Sequence, residues 1–94
     1  MSLRRIEIGQ LVKSVAGRDT DHIYMVIGFI EPNYVLLTDG KERSAAKPKK
    51  KNIRHINVLN SIAKDVAETL KTGAQVTDED IRRTITSLCA PDNM

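Results

Sequence analysis

The sequence predicts an α+β protein: a small β-barrel or highly curved sheet of about five strands, followed by two short amphipathic helices. Three observations carry that expectation. Residues 9–59 break into short runs rich in Val, Ile, Leu and Tyr, separated by Gly, Pro and Asp turn signals. From residue 59 the apolar spacing takes the period of a helix. The chain has 94 residues, which fits one compact domain with a barrel part at 1–58 and a helical part at 59–94 packed on it.

The strands follow in order. "GQLVKSV" (9–15) is bounded by Gly9 and by the Ala16-Gly17 turn. "HIYMVIGFI" (22–30) has apolar residues at both alternating sets of positions, so it is expected to be buried on both faces. Gly28 inside it marks a bulge or sharp bend. "EPN" turns the chain into "YVLLTD" (34–39). Asp39-Gly40 reads as a two-residue hairpin, with "KERSA" (41–45) pairing back as a polar edge strand. "IRHINVL" (53–59) closes the sheet.

Leu59, Ile62, Ala63, Val66, Ala67 and Leu70 fall at offsets 0, 3, 4, 7, 8 and 11, one face of a helix, with Gly73 as its stop. Thr77 caps a second helix whose first turn holds Asp78, Glu79 and Asp80, acids that suit the positive end of a helix dipole. Ile81, Ile85, Leu88 and Cys89 make its apolar stripe. Neither helix is stable alone at this length, so each needs a surface to pack on.

Hydrophobic residues make up 40% and charged residues 29%, a globular composition; aromatics are only 3%, so the core rests on Ile, Val and Leu. The formal charge of +3 is unevenly spread. Residues 1–55 hold 11 Lys/Arg against 6 Asp/Glu, whereas residues 56–94 hold 4 against 6. Such a bias points to an anionic partner for the first half. It peaks between Lys41 and His55, where seven Lys/Arg face one acid, Glu42. The tract "KPKKKNIRH" (47–55) lies between predicted strands, so its ends are pinned. A pinned tract orders at lower entropic cost on a phosphate backbone than a floppy arm does. The bland alternative is a basic loop that serves solubility. Gly17 and Arg18 stand at the tip of the first β connection, where Gly17 permits a tight turn and Arg18 can reach a phosphate with two parallel hydrogen bonds. The alternative there is a plain turn glycine followed by an exposed arginine.

"EIGQLVKSVAGRDTDHIYMVIGFIEPNYVLLTDGK" resembles a KOW motif, in which hydrophilic and hydrophobic positions alternate around a fixed glycine, here Gly17. "KPKKKNIRHI" is similar to the basic tract that follows the motif in the KOW-type large-subunit ribosomal proteins of the fourteen-e kind and their bacterial relatives. The resemblance covers residues 6 to about 58. It implies an SH3-like β-barrel that contacts ribosomal RNA of the large subunit through its first loop and basic segment. Carried onto this chain, the contact residues are Gly17, Arg18, Lys47, Lys49, Lys50, Lys51, Asn52 and Arg54, with Lys13, Lys41 and Arg43 adjacent. The chain departs from many ribosomal proteins in lacking long basic extensions, so a ribosome-associated or general RNA-binding factor fits as well as a permanent component.

The remaining inventory argues against chemistry. His22 and His55 are far apart with no Cys partner, so no zinc site is expected; Asp19, Asp21 and His22 read as a polar loop rather than a metal site. Cys89 reads as a small buried hydrophobe, and it has no second cysteine for a disulfide. Tyr24 and Tyr34 suit core or rim packing, with base stacking as the rival role. No P-loop, GxGxxG, nucleophile motif or carboxylate pair is present, so neither enzymatic activity nor a cofactor is expected. The N-terminus has no hydrophobic signal core, and no apolar run approaches the roughly 18–20 residues of a membrane span. A soluble cytoplasmic RNA-binding protein is the expectation. The alternative is a protein-interaction module of the transcription or translation machinery that uses the barrel or the two helices. Duplex DNA is a poorer third partner, because no helix offers a basic recognition face.

Overall fold

The computed structural model describes residues 6–15, 17 and 22–89. Five strands form one antiparallel sheet: β1 (Gln10–Ser14), β2 (Ile23–Ile30), β3 (Tyr34–Thr38), β4 (Lys49–Asn52) and β5 (Ile56–Ile62). Their order is β4-β3-β2-β1-β5. Helices α1 (Lys64–Lys71) and α2 (Asp78–Cys89) follow. The layout is the expected α+β arrangement, five strands and then two helices.

Register shifts between Val26 and Gly28, and between Gln10 and Val12, bend the sheet, as the glycine in β2 led one to expect. The ladder is open, which is the highly curved sheet of the expected pair, small barrel or curved sheet. β4 and β5 are its two edges. Between them the chain makes a 3₁₀ turn, Ile53–His55, and the Ile53 N–H donates to the Asn33 carbonyl at 2.9 Å instead of to a strand partner.

Both faces of the sheet are buried, because alternating residues feed two cores. Val12, Tyr24, Val26, Val35 and Leu37 pack on one face with Ile6, Ile53 and Ile56. Leu11 and Met25 turn to the other face, where Ala63, Val66 and Ile81 cover them. Ile81 is 0% exposed, so α2 is a lid on the sheet rather than an appendage. Burying an isoleucine so completely stabilises the fold by about 1.5–3 kcal/mol.

Two local expectations are corrected. "KERSA" is not a strand. The Asp39 Oδ1 accepts the N–H groups of Lys41 and Arg43, both at 2.9 Å, and the Ala45 N–H goes to Asp78 Oδ1 at 2.8 Å. With those donors taken, residues 41–45 form a wide turn, and the partner of β3 is the later Lys49–Asn52 segment. The helix expected from residue 59 begins at Lys64 instead. Leu59 and Ile62 belong to β5, which pairs with β1, and the Gln10 side chain donates to the Leu59 carbonyl at 2.6 Å where the ladder bulges. Ala63, Val66, Ala67 and Leu70 keep the helical spacing and mark where α1 starts and packs. For α2 the cap stands as read: the Asp80 N–H donates to Thr77 Oγ1 at 3.1 Å.

Candidate nucleic-acid interface

The basic tract is an ordered edge of the sheet. β3 is a strong strand former, Val-Leu-Leu with a tyrosine and a threonine, and it offers an unpaired side to the next segment that can lie extended. Lys49, Lys50 and Lys51 take that place, opposite Leu37, Leu36 and Val35. Lysine is a poor strand former but is well tolerated at an edge, where its charge also discourages edge-to-edge pairing.

Strand alternation spreads the three ammonium groups. Lys49 and Lys51 share the face of Leu37 and Val35, while Lys50 shares that of Leu36. The Lys50 Nζ lies 4.5 Å from the centroid of the Tyr34 ring, and the Lys49 Nζ lies 5.9 Å from that of Tyr24. Asn52 ends the strand and caps the 3₁₀ turn: its Oδ1 accepts the Arg54 N–H at 2.9 Å. The Arg54 side chain is exposed beside it.

The loop that precedes β4 brings further cations to the end of the sheet where β3 stops and β2 starts. Lys41, Arg43 and Lys47 are all exposed there. Asp39 organises the loop. Burial pushes its carboxyl up, but the N–H groups of Arg43 and Lys41 and the imidazole of His22 outweigh that and hold it below the usual carboxylate range. The His22 Nε2 is 2.7 Å from Asp39 Oδ2, which ties the start of β2 to the end of β3. Gly17, in the connection that leads to His22, is exposed with φ +86°, a left-handed conformation that favours glycine. Arg18 lies outside the described residues, as do Asp19 and Asp21 of the expected polar loop.

Lys13 stands apart from this group. It is on β1, three strands from β4, and its charge acts on Cys89 of α2. The Cys89 thiol is pushed up by burial, an effect that the Lys13 charge opposes. A thiol kept protonated is a poor nucleophile. Among the described residues no group of three or more His, Cys, Asp or Glu side chains converges as a metal site, and no helix is long and apolar enough to cross a membrane.

Sequence reasoning passed over the His22–Asp39 link, which joins residues flanking two different strands and carries no local sequence signal. It named Tyr34, for core or rim packing or for base stacking, without its neighbours. The alternation of "YVLLT" puts it opposite in face to Val35 and Leu37, a signal that gains meaning only once β4 is known to lie alongside.

No family model matches the chain. The large ribosomal subunit protein eL14 of Staphylothermus marinus is 31% identical to it over 80 residues, which span 85% of this chain and 76% of that protein. The eL14 of Hyperthermus butylicus is 29% identical over 80 residues, 85% of this chain and 74% of that protein. YbzG of Bacillus subtilis, named as a candidate ribosome-binding protein, is 30% identical over 71 residues, 76% of this chain and 96% of its own length. These matches run through the sheet, its basic edge and into the helices, and with them the chain belongs to the eL14 family of large ribosomal subunit proteins.

Proposed function

We propose that this chain is a non-catalytic, ribosome-associated RNA-binding protein that works in the cytoplasm and grips the backbone of ribosomal RNA with its basic edge. The observation that carries this reading is the ordered row Lys49-Lys50-Lys51 on a strand at the margin of the sheet. Lys47, Asn52 and Arg54 extend the row, and Lys41 and Arg43 in the preceding loop flank it. The row is held by hydrogen bonds to β3 before any ligand arrives, so little ordering cost falls on binding. Lysines meet phosphates as point charges, displace counterions and make affinity depend steeply on salt. The names of the relatives, large ribosomal subunit proteins and a candidate ribosome binder, support the choice of RNA. The rival reading, a protein-interaction module that uses the barrel or the helices, has less support at the helices, because Val66 and Ile81 face the sheet.

The test is equilibrium binding to a large-subunit RNA fragment over a range of monovalent salt, comparing the wild type with Lys49→Glu/Lys50→Glu/Lys51→Glu. Losing three phosphate contacts should weaken binding and flatten the slope of log K against log salt by about 2–3. A folded triple variant with unchanged affinity and slope would remove β4 from the interface.

A further inference from the structure

On the helix-bearing face, α1 and α2 cover β1 and the first half of β2, where Leu11, Met25 and Ile27 pack with Val66 and Ile81. The far corner of that face lies outside the cluster. The pairs Ile30↔Tyr34, Gly28↔Leu36 and Leu36↔Lys50 place Ile30, Tyr34, Leu36 and Lys50 together there. Ile30 is 37% exposed, Tyr34 and Leu36 are half-buried, and Lys50 is exposed. Leu36 lies flat over Gly28: a Cβ on that glycine would come within 3.1 Å of Leu36 Cδ1. The result is a low apolar surface that contains one aromatic ring, with an ammonium 4.5 Å from the ring centroid. Directly across the ladder from Tyr34 stands Asn52. Its Oδ1 is committed to the Arg54 N–H, which fixes the orientation of the amide and leaves its NH2 on the opposite prong.

We propose that Tyr34, Lys50 and Asn52 form a subsite for one unpaired RNA nucleotide, an inference that rests on the RNA-binding reading above and names the kind of RNA it takes. The base stacks on Tyr34 and displaces the ammonium from the ring. Lys50 swings to the phosphate of that nucleotide. The Asn52 NH2 donates to a carbonyl oxygen or ring nitrogen on the base edge. An exposed cation–π contact is weaker than base–aromatic stacking, and the displaced ammonium gains an anionic partner, so the exchange runs toward the stacked state. A duplex cannot make this contact, since its bases are held within the helical stack; a loop, bulge or strand end can. Arg54, exposed just past Asn52, offers a further cation for a neighbouring phosphate at this edge.

The experiment measures binding of the full chain to a short A/U single-stranded RNA, to its abasic counterpart, and to a blunt duplex of equal charge. The wild type should hold the base-bearing strand about tenfold tighter than the abasic one. Tyr34→Ala should lose that preference, bind the abasic strand and the duplex as the wild type does, and keep the salt slope; Tyr34→Phe should retain the preference. Equal affinity of the wild type for base-bearing and abasic strands overturns the subsite and leaves the backbone reading standing. Binding to none of the three RNAs overturns both. Tyr34→Trp gives a readout that does not depend on how Tyr34→Ala folds, because the chain has no other tryptophan. Its emission should be quenched by the base-bearing strand and not by the abasic one; a bound complex without quenching overturns the subsite.

Discussion

Asp39 shows how one buried side chain sets the shape of the loop before β4. It is 6% exposed, accepts two backbone N–H groups through Oδ1, and meets His22 through Oδ2. Removing it strands those donors, so Asp39→Ala should cost about 1–3 kcal/mol in chemical denaturation at neutral pH. The pH dependence follows from the direction of its shift. Its folded-state pKa is depressed, so its contribution is complete above the ordinary carboxylate range and is lost as pH falls through the lower folded-state value. The gap in stability between wild type and Asp39→Ala should therefore stay constant from neutral pH down to that range and narrow in stronger acid. A gap that does not change with pH would mean that the charge of Asp39 is not what holds the loop.

At the scale of elements, the central feature is that α2 clamps the loop leading into β4. The Arg82 Nη1 donates to the Gly40 carbonyl at 2.6 Å, and Asp78 Oδ1 accepts the Ala45 N–H at 2.8 Å. Gly40 has φ +72°, and a Cβ there would run into the Asp78 carbonyl oxygen and lie 3.1 Å from the Arg82 side chain. Gly40→Ala should therefore destabilise the protein by about 1–3 kcal/mol from backbone strain, with the steric clash adding to it. A thermal or denaturant melt superimposable on the wild type would mean that the loop does not sit against α2. This clamp also explains what the sequence could and could not convey. "YVLLT", "HIYMVIGFI" and the Thr77 cap were legible because strand alternation and capping are local. "KERSA" was misread because its strand-like position was overruled by Asp39 and Asp78, the second of which lies far along the chain. Leu59 and Ile62 carried a helical spacing, yet pairing with β1 took them into β5. The lysines of β4 have low strand propensity, so only the presence of β3 beside them makes a strand of them.

On the scale of the whole molecule, the sheet is a two-sided partition. One face closes over Val12, Tyr24, Val35 and Leu37, and the other is roofed by the helices. Both cores are thereby used for stability, and the basic residues are left along the edge and one end of the sheet. The charge bias visible in the sequence maps onto that margin because β4 and the loop before it come from the basic first half of the chain. Of the candidate residues, Lys41, Arg43, Lys47, Lys49, Lys50, Lys51, Asn52 and Arg54 fall on this continuous stretch, Lys13 falls on another strand, and Arg18 lies outside the described residues. The tract was legible as basic and as pinned at both ends; that it is itself a strand was not, since no local pattern distinguishes a charged edge strand from a charged loop.

The central claim is that the basic edge holds the protein on the large ribosomal subunit. The most direct test is co-sedimentation of the wild type with separated ribosomal subunits in gradients of increasing monovalent salt. The prediction is migration with the large subunit at low salt and progressive release as salt rises. A protein that stays at the top of the gradient at the lowest salt, or that binds with no dependence on salt, would contradict it.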